Sequence, residues 1–351
     1  MNIVLKTKSY LRFLPALCLL FGSILLRAQD IHFSQYYNAP LTVNPALTGI
    51  SSGDIRIGGI YRSQWNAADS PFRTVHLGAD KKFFTVVHPK WWLSGGVNLV
   101  YDRAGDANLE NTNVLLSGSY TRQLDRQNFL TFGLSAGFGQ RRFDPDKLTF
   151  DNQWNGFIFD PNRPVNETFD DTNFSYPDFG VGFNWRGQGN KVMGKGRTKI
   201  DLGFGAYHLS QPAQNFQGGD KSKLPVRMSF YTMPVIQLNQ KADIVGNATF
   251  QKQRKYTEIL AGAGYRHHLN TKKSREIAVQ FGFSYRFNPS GDALIAAAEL
   301  HYHYLVVGFS WDVNTSGFSP ATNRNGGPEL SVRYIIKKVR PISAFKACPL
   351  I

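Results

Sequence analysis

The residues of this chain best suited to chemistry are acids and histidines. Residues 143–172 carry Asp144, Asp146, Asp151, Asp160, Glu167, Asp170 and Asp171 against Lys147 and Arg163. Oxygen-rich loops can hold calcium, but this spacing matches no EF-hand loop, so a solvated acidic loop is the ordinary expectation. His301 and His303 stand near a predicted periplasmic turn with Glu299 close by, and residues i and i+2 share a strand face, which makes a metal site conceivable. His267 and His268 are adjacent and would point to opposite faces. His208 and Ser210 share a strand face, yet no G-x-S-x-G elbow or supporting carboxylate accompanies them. P-loop, H-E-x-x-H and dinucleotide signatures are absent. The expectation is no enzyme, no cofactor and no metal site.

The elements that would carry these residues are strands. Phe132, Leu134, Ala136 and Phe138 alternate with Gly133, Ser135, Gly137 and Gly139. Phe179, Val181, Phe183 and Trp185 alternate with Gly180, Gly182, Asn184 and Arg186, and Val307, Phe309, Trp311 and Val313 with Gly308, Ser310 and Asp312. Period two makes one face apolar and the other small or polar. The pattern predicts strands at 54–65, 71–84, 91–102, 111–124, 128–142, 173–187, 198–209, 224–238, 241–252, 255–268, 275–287, 292–301, 304–314 and 329–338.

Export decides what those strands face. Lys6, Lys8 and Arg12 precede an apolar run from Phe13 to Leu26, too short for a comfortable spanning helix and suited to a signal peptide. Cleavage after Ala28 would leave about 323 residues and remove Cys18, so Cys348 alone could make no intramolecular disulfide. The net charge of +15 loses four positive residues with the leader and becomes +11. In an exported protein that suits anionic lipid or acidic partner segments rather than nucleic acid.

No later stretch is apolar enough for a transmembrane helix. Aromatics make 14 % of the chain and glycine is abundant, which together with export points to an all-β fold, a transmembrane antiparallel barrel of about 14 strands. Trp65, Trp91, Trp92, Trp185 and Trp311 would form interfacial girdles. An even count puts both termini on the periplasmic side, and the long connections 143–172, 210–223 and 315–328 on the other. A soluble exported sandwich is the alternative fold. The expected organisation is a leader at 1–28, an N-terminal periplasmic or lumenal segment at 29–53, the barrel at 54–338 and a basic tail at 339–351.

The stretch from Gln29 to Gly49 is polar, broken by two prolines and expected to be mostly extended. Phe33, Ser34, Gln35, Tyr36, Asn38, Pro40, Asn44, Pro45, Ala46 and Gly49 resemble the opening of the PorP/SprF family, outer-membrane proteins of the Bacteroidetes type IX secretion and gliding machinery. Tyr61-Arg62 with Gln64-Trp65, then Pro71 and Arg73-Thr74, resemble its next block. His208-Leu209 with Pro212 and Phe216 resemble a middle block. Ser310 to Asn314, Gly326-Gly327, Glu329 to Ser331 and Tyr334 resemble the closing strands, and the tail carries Cys348-Pro349. Trp311 stands where Tyr is usual, and Tyr37-Asn38-Ala39 is not the commonest filling.

The resemblance implies an outer-membrane component that supports secretion and surface anchoring of cargo such as gliding adhesins bearing a type B C-terminal signal. The implied partners are that cargo domain, periplasmic ring components and outer-membrane lipid. The candidate partner-binding residues are Phe33, Gln35, Tyr36, Asn38, Asn44 and Pro45, with Lys337, Lys338 and Arg340 of the tail. The opening segment either plugs the lumen, lines its mouth or merely caps strands. The alternative function is a channel or hydrophobic-compound transporter.

Overall fold

The computed structural model describes residues 30–337 except 65–70, 85–89, 106, 166, 168, 170, 190–195, 215, 217–221, 273–274, 289–292, 318 and 321. The chain divides into Met1–Asp30 and Ile31–Ile351. Of the first unit only Asp30 is described, so the leader and its cleavage site lie outside the described residues, as do Trp65, Lys338, Arg340 and Cys348.

The period-two runs all become strands. They are β1 (Ile55–Gln64), β2 (Phe72–Phe83), β3 (Trp91–Ala104), β4 (Leu109–Gln123), β5 (Asn128–Arg142), β6 (Asn173–Gln188), β7 (Lys199–Tyr207), β8 (Arg227–Gln237), β9 (Ala242–Gln253), β10 (Tyr256–Asn270), β11 (Ile277–Phe287), β12 (Ala293–Tyr302), β13 (Leu305–Asn314) and β14 (Asn325–Ile336). Each lies beside its neighbours in sequence, and β1 pairs with β14 from Ile55↔Ile336 to Arg62↔Glu329, closing a 14-stranded antiparallel barrel. The expected strands agree with these to within a few residues.

Burial tells which face is which. Phe283 on β11 is 65 % exposed and Leu116 on β4 is 65 % exposed, whereas Asn184, Thr121 and Ser310 at alternating positions are fully buried. The apolar face therefore points outward and the polar face inward, the reverse of a soluble sandwich and the arrangement of a barrel in lipid. Trp91 packs near Tyr120, and the indole N–H of Trp185 donates to Asn128 Oδ1 at 3.1 Å. Trp92 departs from the expected girdle, since its ring sits under the Lys82 ammonium, which lies 5.6 Å from the ring centroid on the inner side. Replacing Phe283 by Arg places a charge mid-strand on the lipid face. It is expected to cost about 2–4 kcal/mol, read as a lower temperature at which heat-modifiable gel migration is lost.

The two longest connections, 143–172 and 208–226, leave the same end of the barrel, called here the loop end. The ends of the ring at Ile55 and Ile336 mark the opposite, terminal end. Phe216 from the second connection packs edge-on to Phe143 and Phe174, with ring centroids 4.7 and 4.9 Å apart, so the two connections form one apolar cluster. The 208–226 connection also contains a small hairpin, Ala213–Gln214 with Ser222–Lys223, which alternation over two residues cannot signal.

Candidate functional site

Residues 31–50 are not extended. Tyr36–Asn38, Pro40–Thr42 and Pro45–Leu47 each form a single turn of 3-10 helix. Pro40 and Pro45 open the second and third turns and are compatible with them: a ring nitrogen has no N–H to donate and fixes φ, which suits the first position of a turn but not its interior. Asn44 organises the last turn. Its Oδ1 accepts from the Ala46 N–H at 2.8 Å, while its Nδ2 donates to the Phe183 carbonyl at 2.9 Å and to the Tyr231 hydroxyl at 2.8 Å. The Tyr231 hydroxyl in turn donates to Asn184 Oδ1 at 2.8 Å.

These contacts continue around the ring. The Tyr207 hydroxyl of β7 donates to the Leu41 carbonyl and Arg227 of β8 to the Thr42 carbonyl. Thr48 meets Ser117 and Ser119 of β4, the Gly49 N–H donates to Asp80 of β2, and Arg186 of β6 reaches the Ile50 carbonyl. A single segment that bonds to inward-facing residues of strands on opposite sides of a closed ring lies within it. Tyr36, Val43, Leu47 and Ile50 pack with Tyr231, Leu260 and Ile295 into an apolar core inside the barrel. Glycines make the approach possible: a Cβ at Gly133 would collide with the Ala46 backbone, and one at Gly182 with the Asn44 amide.

At the loop end the segment meets a buried ion cluster. Asp312 of β13 pairs with Arg62 of β1 and with Arg286 of β11, each at 2.9 Å. Glu329 of β14 lies 3.8 Å from Arg62, and Glu258 of β10 lies 4.0 Å from Arg286. Ser34 donates its hydroxyl to Asp312 Oδ1 at 2.9 Å. The two Glu329 oxygens accept consecutive backbone N–H groups, from Ser34 at 2.9 Å and Gln35 at 2.7 Å. Arg62 also donates to the His32 carbonyl. Gln35 Nε2 donates to Ser310 Oγ at 3.1 Å, and Asn38 Nδ2 to Glu299 Oε1 and Ser331 Oγ, both at 3.0 Å. Desolvating so many charges is costly unless each is paired and hydrogen-bonded, and here the N-terminal segment supplies a share of those bonds. The cluster thus bonds residues 32, 34 and 35 to β1, β13 and β14.

Phe33, Gln35, Tyr36, Asn38, Asn44 and Pro45 are thus brought together, all buried against the barrel's own interior. Lys337 stands apart, its ammonium 5.1 Å from the Tyr304 ring centroid near the terminal end. Among the described residues no group of three or more His, Cys, Asp or Glu could hold a metal. His301 Nε2 does lie 2.9 Å from Glu299 Oε2, but His303 falls in the turn before β13, with φ of 55°. His267 and His268 point to opposite faces: His268 lies 2.7 Å from Asp243 inside, and His267 3.3 Å from the Tyr265 hydroxyl outside.

His208 and Ser210 do not share a strand face, because β7 ends at Tyr207 and His208 turns to φ 59°. A carboxylate does accompany the histidine, since Asp178 Oδ2 lies 2.9 Å from its Nδ1, while Ser210 donates to the Pro177 carbonyl. In the acidic loop, Asp144 and Asp160 accept backbone N–H groups two residues on, at 3.3 and 3.0 Å, as acids in turns commonly do.

Sequence reasoning singled out neither Arg62, Arg286, Asp312, Glu329 nor Glu258 as a site. The available signal was a charged residue on the polar face of an otherwise lipid-facing strand, where desolvation demands a partner.

Several of these residues belong to the blocks that carried the family resemblance: Ser34, Gln35 and Asn38 from the opening, Arg62 from the second block, and Ser310, Asp312, Glu329 and Ser331 from the last. Distant in sequence, they meet in one cluster. Among solved structures the chain is similar to the Ralstonia pickettii toluene transporter TbuX, at 11 % identity and TM-score 0.49, covering 85 % of this chain and 92 % of that one. It is also similar to a Pseudomonas aeruginosa FadL homologue, at 10 % identity and TM-score 0.47, with coverage of 83 % and 92 %. The P. putida toluene transporter TodX aligns at 10 % identity and TM-score 0.44, with coverage of 86 % and 95 %. No curated protein sequence matches. The family profile described as "Type IX secretion system membrane protein PorP/SprF" matches residues 25–334. With that match spanning most of the chain and a closed barrel turning its apolar face outward, this chain belongs to the PorP/SprF family and is an outer-membrane component of the type IX secretion system.

Proposed function

We propose that the chain is a non-enzymatic adaptor whose barrel is a rigid frame and whose lumen is closed by residues 31–50. Family membership implies interaction with type IX secretion components. In the proposed reading these are the C-terminal domain of secreted cargo, such as an adhesin with the type B signal, and periplasmic ring components, with lipid around the wall. The leader at 1–28 is removed, 29–53 forms the lumenal segment, 54–338 the barrel, ending at Lys338, and 339–351 a basic tail in the periplasm that carries Arg340.

The observation that carries this reading is the tie between segment and wall, made through hydrogen bonds from Ser34 and Gln35 to buried, ion-paired carboxylates. It supports an adaptor over a conduit for hydrophobic compounds, because a conduit would have to break those bonds or route around them. A detergent pull-down of the full chain, read by mass spectrometry, tests it. Co-recovery of ring components or of one large surface protein is expected. Recovery of neither, from cells assembling the apparatus, sinks the adaptor reading.

A further inference from the structure

Most interior charges at the terminal end of the barrel are matched. Arg56 Nε donates to Asp80 at 2.7 Å, Arg186 Nε to Asp201 at 2.7 Å and Arg197 Nε to Asp243 at 3.0 Å. Glu299 is held by His301 and Asn38. Lys199 of β7, Arg266 of β10 and Arg333 of β14 are different. Arg266 bonds only to a neutral acceptor, Gln280 Oε1, at 2.7 and 3.0 Å. Arg333 reaches the Tyr37 carbonyl at 3.3 Å, and its Nε is buried with no hydrogen-bond partner. Among the described residues none of the three forms an ion pair. All three are half-buried rather than sealed in, as are Gly264 and Gly282 at inward positions of β10 and β11. Arg186, Arg266 and Arg333 act on the charge of Lys199, although their strands are spread around the ring, and the carboxylates in reach, Asp201 beside Lys199 and Glu299 beside Arg266 and Arg333, are already bonded to Arg186 and to His301 and Asn38. Tyr37 touches this group through its carbonyl, which accepts from Arg333.

We propose that this basic chamber, below the N-terminal segment and facing the terminal end, is a binding site for an acidic segment of a polypeptide. Like charges held together in a confined polar lumen focus a positive potential that a ligand with several carboxylates relieves. Arginine and lysine heads on three separate strands match carboxylates distributed along a chain better than one compact ion. A lipid headgroup reaches the outer wall of a barrel, not its inside. The chain's own tail is basic through Lys337, Lys338, Arg340 and Lys346, so it is not the occupant. The proposal rests on the adaptor reading and names the chemistry of one partner.

The test uses full-length protein in detergent and a fluorescein-labelled oligoglutamate peptide, followed by anisotropy. The glutamate peptide is expected to bind, and its glutamine counterpart not to. The K199Q/R266Q/R333Q variant should lose about tenfold in affinity, and added salt should weaken binding to the original chain. R142Q at the loop end should leave binding unchanged. Heat-modifiable migration verifies that the variant is folded; if the triple variant is not, R333Q alone carries the comparison. Equal binding of glutamate and glutamine peptides, equal affinity in original and variant, or displacement by inorganic phosphate alone as effective as by unlabelled peptide would each overturn the proposal. Failure here leaves the pull-down result untouched, so the two readings are judged separately.

Discussion

Deleting Ile31–Gly49 is expected to leave an inserted barrel that has opened. The ring owes its closure to strand pairing, including the uninterrupted run from Ile55↔Ile336 to Arg62↔Glu329, and none of those bonds involves the segment. What the deletion removes is the inner core around Tyr36, Val43, Leu47 and Ile50, and the hydrogen bonds that Ser34 and Gln35 make to Asp312 and Glu329. Water entering the emptied lumen rehydrates the exposed charges, so the loss falls on occupancy more than on the wall. Heat-modifiable migration should persist. In planar bilayers the full chain should give no large stable conductance and the deletion variant should give one. Surface display of cargo should fall sharply in cells. Equal conductance of the two proteins would refute lumen closure, and unchanged display would refute its functional role.

A single carboxylate is expected to matter almost as much. Asp312 faces two buried guanidinium groups, Arg62 and Arg286, each at 2.9 Å, and also receives the Ser34 hydroxyl. Asp312→Ala leaves both cations short of counter-charge in a site closed to water. Breaking a buried pair from one side costs about 3–5 kcal/mol. The exposed pair between Arg142 and Glu110 provides the contrast, with Arg142 open to solvent; Glu110→Ala should cost less than about 1 kcal/mol. The temperature at which heat-modifiable migration disappears measures both. A shift for Asp312→Ala no larger than for Glu110→Ala would show that the cluster does not hold the loop end together.

The strands were legible because lipid on one side and a polar lumen on the other force alternation along every one of them. Phe132 against Gly133 or Phe309 against Ser310 needs no tertiary information to read. The turns of residues 36–47 were not legible, since Pro40 and Pro45 are as compatible with extended chain as with one-turn 3-10 helices, and contacts with Tyr207, Arg227 and Tyr231 select the turns. The ion cluster was hidden for a different reason. That Arg62, Arg286 and Asp312 face inward follows from parity, but that they meet depends on the stagger of β1, β11 and β13 around the ring. The glycines at 133 and 182 read as small lumen residues, and only their contacts with Ala46 and Asn44 explain why no side chain fits there.

The binding partners of Ser34 and Gln35 lie nearly three hundred residues away along the chain. Contacts of such separation carry the largest loop-closure cost and form late. The beginning of the segment thus cannot be seated until β13 and β14 have joined the ring, although it is made first. Locking residues 34 and 35 to Asp312 and Glu329 is accordingly expected to follow completion of the ring. It distinguishes a finished barrel from one still missing its last hairpin, and gives the protein an internal record of its own completion.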